Sequence, residues 1–256
     1  MKIIDDYLLE RYSRQIIINE IGIEGQKKIF DSSVIIVGCG GLGTSAGQYL
    51  SMSGVGSLTF IDNDKIVLSN LNRQTLFTDN DIGENKARAL SRKIKKINRF
   101  SKISCIEKEV TSKNIDKLIN TDSIVLDCTD NFETRFLINK FCHMHKKILV
   151  SAAIQNFDIQ AFVLASWKDK KNPCYECVFQ NTINDNQNSC DDMGIVAPVA
   201  GLGGVIQANL TLNLLLDLKK SYFKEFLLFD CINLNLRKIK VEKNHDCKIC
   251  KNLSQS

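Results

Sequence analysis

A run of glycines that follows β-branched residues is the first place in the sequence where chemistry can be expected. The stretch VIIVGCGGLG, residues 34–43, has the G-x-G-x-x-G spacing at Gly38, Gly40 and Gly43. Gly38 permits a tight turn, Gly40 and Gly41 let backbone N–H groups approach a phosphate, and the positive end of the following helix adds attraction. About twenty residues later Asp62 ends the next strand, where a carboxylate can accept hydrogen bonds from ribose hydroxyls. The spacing predicts a nucleotide site, but it does not separate NAD from ATP.

Two cations follow this acid along the chain, Arg73 in SNLNRQ and Lys86 in DIGENKARAL. A dehydrogenase has little use for them. An enzyme that cleaves ATP between the α- and β-phosphates must neutralise the charge that builds on the departing pyrophosphate, and these residue types suit that task. Taken singly, Arg73 is better explained as a surface guanidinium and Lys86 as a solvated helix residue.

Four of the ten cysteines form two C-x-x-C pairs, Cys174 with Cys177 and Cys247 with Cys250. Two such pairs can bend as knuckles and supply four thiolates to one Zn²⁺. The gap between them is longer than in a usual zinc ribbon, so spacing alone leaves a redox dithiol open. Two pairs in a reducing compartment favour structural zinc. The three histidines are expected to be structural or solvent-facing, and His245 lacks ligand spacing to the nearby Cys247.

The elements that must position these residues alternate along the first 150 positions. Apolar runs at 34–38, 57–62, 102–110, 123–130 and 147–153 predict strands, and helical spacing is found at 44–54, 84–99, 112–119 and 131–146. This alternation predicts an α/β fold, a Rossmann-like, mostly parallel sheet flanked by helices. Runs at 161–167, 225–232 and 237–243 predict antiparallel C-terminal strands that extend the sheet. A buried helix is expected from Gly201, and the polar segment 180–192 is expected to be a long mobile loop.

Composition excludes several other classes of protein. The chain has 256 residues, of which 44% are hydrophobic and 25% charged, with a formal net charge of +5. These values are ordinary for a soluble globular protein. The one dense basic run, residues 93–99, lies on a helical pattern and is interpreted as a solvated face, so no nucleic acid is expected. Asp5, Asp6 and Glu10 interrupt the first apolar stretch, so no signal peptide is expected. The most apolar region, from Gly201, contains Gln207, Asn209, Asn213 and Asp217, so no membrane span is expected there. Without a targeting segment, a cytoplasmic location is expected.

Taken in order, several motifs resemble one known family. They are RYSRQ at 11–15, GCGGLG at 38–43, IDND at 61–64, SNLNRQ at 69–74, Lys86 and DCTDN at 127–131. This pattern resembles the ThiF, MoeB and HesA family of adenylyltransferases, bacterial relatives of the ubiquitin-activating enzymes, from Arg11 to Cys250. The resemblance implies MgATP-dependent adenylation of the C-terminal Gly-Gly carboxylate of a small ubiquitin-like sulfur carrier, of ThiS or MoaD type, for thiamine or molybdopterin synthesis. Since that carboxylate is already ionised at neutral pH, no general base is required.

The resemblance also implies roles for individual residues. Gly41 would line the phosphate turn, and Asp62 would hold the ribose. Asn70, Arg73 and Lys86 would contact the phosphates, and Asp130 would bind Mg²⁺. The neighbouring Asp64, Ser69, Gln74 and Asn131 are counted with the cofactor-binding set. Arg14 would reach the ATP of a neighbouring subunit, which implies a homodimer. Cys174, Cys177, Cys247 and Cys250 would be the zinc ligands. The one departure from the family pattern is Asn63, between Asp62 and Asp64, and ribose binding is not expected to suffer.

Cys190 is a further catalytic candidate, since it matches the cysteine with which some relatives form a covalent bond to the carrier. A thiol in a mobile loop can displace AMP from an acyl adenylate, but Asp191 and Asp192 disfavour its thiolate, so the role stays open. Five other cysteines in apolar contexts are expected to be small core residues, namely Cys39, Cys105, Cys128, Cys142 and Cys231.

The whole chain, 1–256, is interpreted as a single ATP-binding adenylyltransferase domain. It would consist of an N-terminal helical arm at about 1–30, a nucleotide-binding part at about 31–150 and a carrier-binding and zinc part at about 151–256. No rhodanese pattern follows Cys250, so a separate sulfur donor, a cysteine desulfurase or rhodanese-type protein, is expected. Alternatives are an NAD-dependent oxidoreductase, which would leave the cations idle, a non-catalytic binder of a ubiquitin-like protein, and an enzyme that adenylates a peptide-antibiotic precursor.

Overall fold

The computed structural model describes residues 5–119, 122–179, 194–218 and 222–251. The helices are α1 (Asp6–Ile16), α2 (Gly22–Asp31), α3 (Gly41–Met52), α4 (Lys86–Ile97), α5 (Ile115–Leu118), α6 (Phe132–Met144), α7 (Tyr175–Phe179) and α8 (Ala197–Leu215). The strands are β1 (Ser33–Val37), β2 (Ser57–Ile61), β3 (Lys102–Ile106), β4 (Ile124–Asp127), β5 (Leu149–Gln155), β6 (Asp158–Leu164), β7 (Glu225–Asp230) and β8 (Asn235–Lys240).

These strands form one eight-stranded sheet in the order β3-β2-β1-β4-β5-β6-β7-β8. The pairs from β3 to β5 are parallel, and those from β5 to β8 are antiparallel. The prediction of a parallel sheet with an antiparallel C-terminal extension is confirmed. The carboxyl ends of β1, β2 and β4 therefore meet at one edge of the sheet, where ligands bind in open α/β folds.

Both faces of β1 are buried from Val34 to Val37, and the strand does not alternate between apolar and polar residues there. Val34 and Ile36 point into a core formed with α3, α4 and α8, and Ile35 and Val37 into a second core on the side of α6. A strand covered by helices on both faces is apolar on both, as β1 is at these four positions.

The N-terminal arm packs through a small cluster of its own. Leu8 and Tyr12 on α1 and Phe30 on α2 are buried together, and Tyr12 and Phe30 meet edge to face with ring centroids 5.0 Å apart. Arg11 donates a hydrogen bond to the carbonyl of Ile97 at the end of α4. These contacts tie the arm to the nucleotide-binding part of the sheet.

Some predicted elements are shorter than the sequence pattern indicated. The strand predicted over 102–110 ends at Ile106, and the helix predicted over 112–119 is a single turn at Ile115–Leu118. Two core predictions were wrong, because Cys105 on the edge strand β3 is exposed and Cys231 in the β7–β8 turn is only half-buried. Cys39, Cys128 and Cys142 are buried as predicted.

The predicted loop at 180–192 lies outside the described residues. Within the described part of the chain, no helix has the combination of length and hydrophobicity that crossing a bilayer requires.

Candidate active site and metal centre

The glycine turn joins β1 to α3 and depends on backbone geometry that only glycine satisfies. Gly38 has a φ of +92°, and a Cβ there would lie 2.6 Å from the carbonyl oxygen of Cys128. A Cβ on Gly41 would lie 2.9 Å from the Cβ of Ala200. The first helical residue of α3 is Gly41, so the free N–H groups of that helix begin at the turn. Free helix N–H groups next to a turn without side chains form an anion-binding cradle.

Asp62, at the end of β2, is tied to this turn. Its Oδ2 accepts a hydrogen bond from the backbone N–H of Cys39 at 2.7 Å, and its Oδ1 accepts one from the N–H of Asp64 at 2.8 Å. Burial raises the pKa of Asp62, although the Cys39 N–H and nearby Lys86 oppose the rise. The carboxylate is thus fixed beside the cradle, at the position predicted for ribose binding.

The two predicted cations approach from the segment after β2 and from the start of α4. The Nη1 of Arg73 donates to the carbonyl of Ser69 at 2.8 Å, which holds the guanidinium along its own turn. Lys86 is the first residue of α4, and its ammonium lies 2.8 Å from Oδ2 of Asp64. The helix is capped by Asn85, whose Nδ2 also donates to the backbone carbonyl of Asp62, so the start of α4 is tied to the end of β2.

Asn70 and Gln74 are the buried polar members of the same segment. Asn70 accepts a hydrogen bond from the N–H of Val67 through its Oδ1. Gln74 is only 3% exposed, and its Oε1 has no hydrogen-bond partner among the described residues.

The third strand end contributes an acid and a helix cap. Asp130, three residues beyond β4, is exposed, and Asn131 caps α6 by accepting a hydrogen bond from the N–H of Thr134. A lone carboxylate facing a phosphate-binding cradle suits Mg²⁺, which typically takes one or two carboxylates together with substrate phosphates.

These groups surround one cavity of about 840 Å³. The candidate residues that line it are Gly38, Gly40, Gly41, Asp62, Asp64, Ser69, Asn70, Arg73, Gln74, Lys86, Asp130 and Asn131. The structure therefore brings together nearly all of the residues that the resemblance associates with ATP. Pockets of this size commonly hold a cofactor or a drug-sized ligand.

Three candidates lie elsewhere. Gly43 is beneath the turn, where a Cβ would lie only 2.0 Å from the carbonyl oxygen of Gly38, so it serves close packing and does not face the cavity. Arg14 is exposed on α1 and does not line the cavity of its own chain. Cys190 lies outside the described residues, and its catalytic role stays a prediction.

Sequence reasoning missed several residues that line the cavity. Among them are Lys108, Glu109, Val110, Thr129 and Arg135, and also Lys65 and Thr134. The first three belong to the stretch that was predicted to continue β3. Arg135 gave a weak signal, an arginine among the apolar positions of α6, where it is only 4% exposed.

The four predicted zinc ligands form a compact cluster. Cys174, Cys177, Cys247 and Cys250 have their sulfur atoms within 4.8 Å of one another, with separations of 3.9, 3.6 and 3.4 Å between neighbours. Four thiolates at about 2.3 Å from a tetrahedral Zn²⁺ would be about 3.8 Å apart, so the cluster fits the ion. The hydrogen bond with Cys174 lowers the pKa of Cys247, hydrogen bonds with Cys177 and Cys247 raise the pKa of Cys174, and a metal would bind both as thiolates. His245 is exposed and does not belong to the cluster.

Comparison with known proteins agrees with this geometry. The sequence model of the ThiF family matches residues 12–249. The chain belongs to the ThiF family.

Two named relatives are similar to this chain over nearly their whole length. The molybdopterin-synthase adenylyltransferase of Escherichia coli strain K12 is 34% identical over 247 residues, which is 96% of this chain and 98% of that protein. The sulfur carrier protein ThiS adenylyltransferase of the same organism is 35% identical over 241 residues, 94% of both chains.

The fold of this ThiF-family chain also matches a solved structure, E. coli MccB with ATP. The TM-score is 0.80 at 24% identity, covering 94% of this chain and 74% of MccB. At that identity the likeness establishes the fold alone.

Proposed function

We propose that this ThiF-family chain uses MgATP to adenylate the C-terminal Gly-Gly carboxylate of a small ubiquitin-like sulfur carrier and releases pyrophosphate. The observation that carries the proposal is the convergence of Arg73, Lys86 and Asp130 on the cavity that the glycine turn opens into. The relatives named above support the carrier class, since their names specify molybdopterin synthase and ThiS.

In this reaction a carrier carboxylate oxygen forms a bond to the α-phosphorus, and the bond from that phosphorus to the bridging oxygen of the β-phosphate breaks. The pyrophosphate leaves with the electron pair of the broken bond. No proton transfer is needed, because a terminal carboxylate is ionised at neutral pH. The site must therefore position the reactants and neutralise developing charge, which matches a wall of backbone amides, cations and carboxylates.

Each residue then has a definite task. The N–H groups from Gly40 onward would hold phosphate oxygens, and Asp62 would hold the ribose. Arg73 and Lys86 would stabilise the negative charge that collects on pyrophosphate. Asp130 would hold Mg²⁺, which when bound supplies further charge neutralisation at the phosphates.

The proposal includes a homodimer in which Arg14 acts on the nucleotide of the partner subunit. Arg14 is exposed and does not line the cavity of its own chain. Ile17, which follows α1, and Ile23 on α2 are exposed apolar side chains, at 69% and 48%. Exposed apolar side chains that form a patch typically mark a protein interface.

Two finer points belong to the same proposal. A separate protein, a cysteine desulfurase or a rhodanese-type enzyme, would donate the sulfur, and thiamine or molybdopterin synthesis would receive it. The two named carrier pathways are matched at 34% and 35% identity, so sequence similarity does not choose between them.

The zinc ion in the cysteine cluster would fix the C-terminal tail to the segment before α7.

An NAD-dependent oxidoreductase would use the glycine turn and Asp62 but would give Arg73 and Lys86 no task. ATP–pyrophosphate exchange separates the two activities. We expect exchange that requires Mg²⁺ and one carrier, either ThiS-like or MoaD-like, and that falls by at least about 100-fold in Arg73→Ala. Arg88→Ala is the matched control, because Arg88 pairs with Glu107 on the surface outside the cavity lining. Tight NADH binding without exchange would refute the proposal.

A further inference from the structure

Beneath the turn that carries Asp130 lies a buried ion pair that the chemistry described so far does not use. Asp127 ends β4 and is fully buried, and Arg135 of α6 is 4% exposed. Arg135 Nη1 lies 3.7 Å from Oδ2 of Asp127. Burying two charges away from water costs free energy that their attraction only partly offsets, so a buried ion pair is weak evidence of a contribution to stability. Its hydrogen bonds indicate what else it does.

The carboxylate of Asp127 binds the backbone N–H and the hydroxyl of Thr129, the residue before Asp130. Its Oδ1 accepts hydrogen bonds from the backbone N–H of Thr129 at 3.0 Å and from the Thr129 hydroxyl at 2.6 Å. Its Oδ2 accepts one from the hydroxyl of Ser151 on β5 at 2.7 Å. The turn is thereby anchored to two neighbouring strands.

The guanidinium of Arg135 binds the backbone carbonyl of the same residue, Thr129. Its Nη2 donates to the carbonyl of Thr129, and its Nη1 donates to the carbonyl of Ala152 at 2.9 Å. Thr129 is therefore held through its N–H, its hydroxyl and its carbonyl. On the other side of Asp130, Asn131 is also fixed, because its side chain caps α6.

Asp130 lies between these two anchored residues, and its carboxylate makes no ion pair within the described ranges. A side chain that contacts a metal needs its backbone held, since it has no partner of its own before the metal binds. A lysine in place of Arg135 would keep the charge but could not bridge the Thr129 and Ala152 carbonyls, because an ammonium is a point charge without the planar fork of a guanidinium.

We infer that Arg135, through its bridge to the Thr129 carbonyl and its pair with Asp127, is a positioning residue that aims Asp130 at the metal bound with ATP. The inference rests on the proposed function for the placement of Mg²⁺ at Asp130. Arg135 itself contacts neither reactant in this role.

The experiment measures metal binding directly, without the carrier. Mn²⁺ is titrated into the full chain in the presence of a non-hydrolysable ATP analogue and followed by electron paramagnetic resonance. We expect Arg135→Lys to weaken Mn²⁺ binding by about tenfold, as changes next to a metal-binding carboxylate do, and Asp130→Asn to weaken it at least as much. Arg88→Lys is the control for an arginine-to-lysine change outside the cavity and should leave binding unchanged.

A second variant keeps the test decisive if Arg135→Lys does not fold. Thr129→Val is nearly isosteric and removes only the hydroxyl that donates to Asp127, and it should weaken Mn²⁺ binding in the same direction by a smaller factor. A folded Thr129→Val or Arg135→Lys protein with wild-type Mn²⁺ affinity overturns the inference. So does unchanged binding in Asp130→Asn.

Kinetics provide a further readout that loss of stability alone would not move. In pyrophosphate exchange, Arg135→Lys should raise the Mg²⁺ concentration for half-maximal rate by about the same factor, while KM for ATP at saturating Mg²⁺ stays within about twofold. Wild-type protein that binds Mn²⁺ with the analogue but exchanges with neither carrier would refute the proposed function and leave this inference standing.

Discussion

The ammonium of Lys86 lies 2.8 Å from Oδ2 of Asp64, and the backbone N–H of Lys86 donates a hydrogen bond to the backbone carbonyl of Asp64. The lysine side chain is 12% exposed and the aspartate 57%. Asp64 therefore holds the ammonium at the cavity wall from the solvent side. In the proposed function Lys86 supplies the positive charge at the phosphates, and Asp64 only orients its ammonium.

This relationship predicts different effects for the two partners. Lys86→Ala should lower kcat/KM in pyrophosphate exchange by at least about 100-fold, because it removes charge stabilisation of the leaving group. Asp64→Asn should lower it by only about two- to fivefold, since exposed pairs contribute about 0.2–1 kcal/mol. Equal losses in the two variants would contradict the assignment, and Arg88→Ala, on the same helix but outside the cavity lining, serves as the control for a nearby cation.

Acid stability should depend on Asp81. Burial by itself would raise the pKa of this residue, but hydrogen bonds from Lys93, Thr78 and Arg92 bring the pKa well below its usual value. A depressed folded-state pKa contributes stability above the unfolded pKa of about 3.9, and this contribution is lost as the pH falls below that value. We expect Tm to fall between pH 5 and pH 3 more steeply in the wild type than in Asp81→Asn. Parallel Tm profiles for the two proteins would argue against it.

The cysteine cluster should bind one zinc ion per chain. Chelation, or Cys250→Ser, should lower Tm by several degrees or more, because the free energy of binding structural zinc contributes to folding. Cys231→Ser is the matched control, since Cys231 is half-buried and lies outside the cluster. Elemental analysis of purified protein gives the stoichiometry, and a chain that is free of zinc yet equally stable would refute the metal assignment.

The packing of the glycine turn predicts a strong asymmetry between two glycine substitutions. Gly43→Ala would place a Cβ 2.0 Å from the backbone carbonyl of Gly38, which no side-chain rotation relieves. We expect a loss of about 3 kcal/mol or more in the free energy of unfolding, at or beyond the usual range for overpacking. Gly201→Ala, whose Cβ would meet only the Ser45 hydroxyl at 3.9 Å, should be neutral or stabilising because alanine favours a helix. Urea unfolding of both variants measures the difference.

Much of the fold could be predicted because its signals are local. The apolar runs of β1, β2, β4 and β5 and the helical spacing of α3, α4 and α6 all corresponded to real elements, with ends displaced by a few residues. The run over 102–110 was misleading, because β3 lies at the edge of the sheet and pairs on one side only. Instead of continuing the strand, residues 108–110 line the cavity, and Cys105 on the strand is exposed.

The sequence by itself determined the parts of the candidate site that depend on short spacings. These are the glycine turn with its following helix, the acid that ends the next strand and the two cysteine pairs, since each works through neighbouring backbone and is visible as a motif. The tertiary structure decided what depends on contacts between distant segments. Because β4 lies beside β1 and β5, Asp127 can meet Ser151 and Arg135, and no periodicity of the chain reports that buried network. The same holds for the four sulfur atoms, which come within metal-binding distance only because α7 and the C-terminal segment pack together.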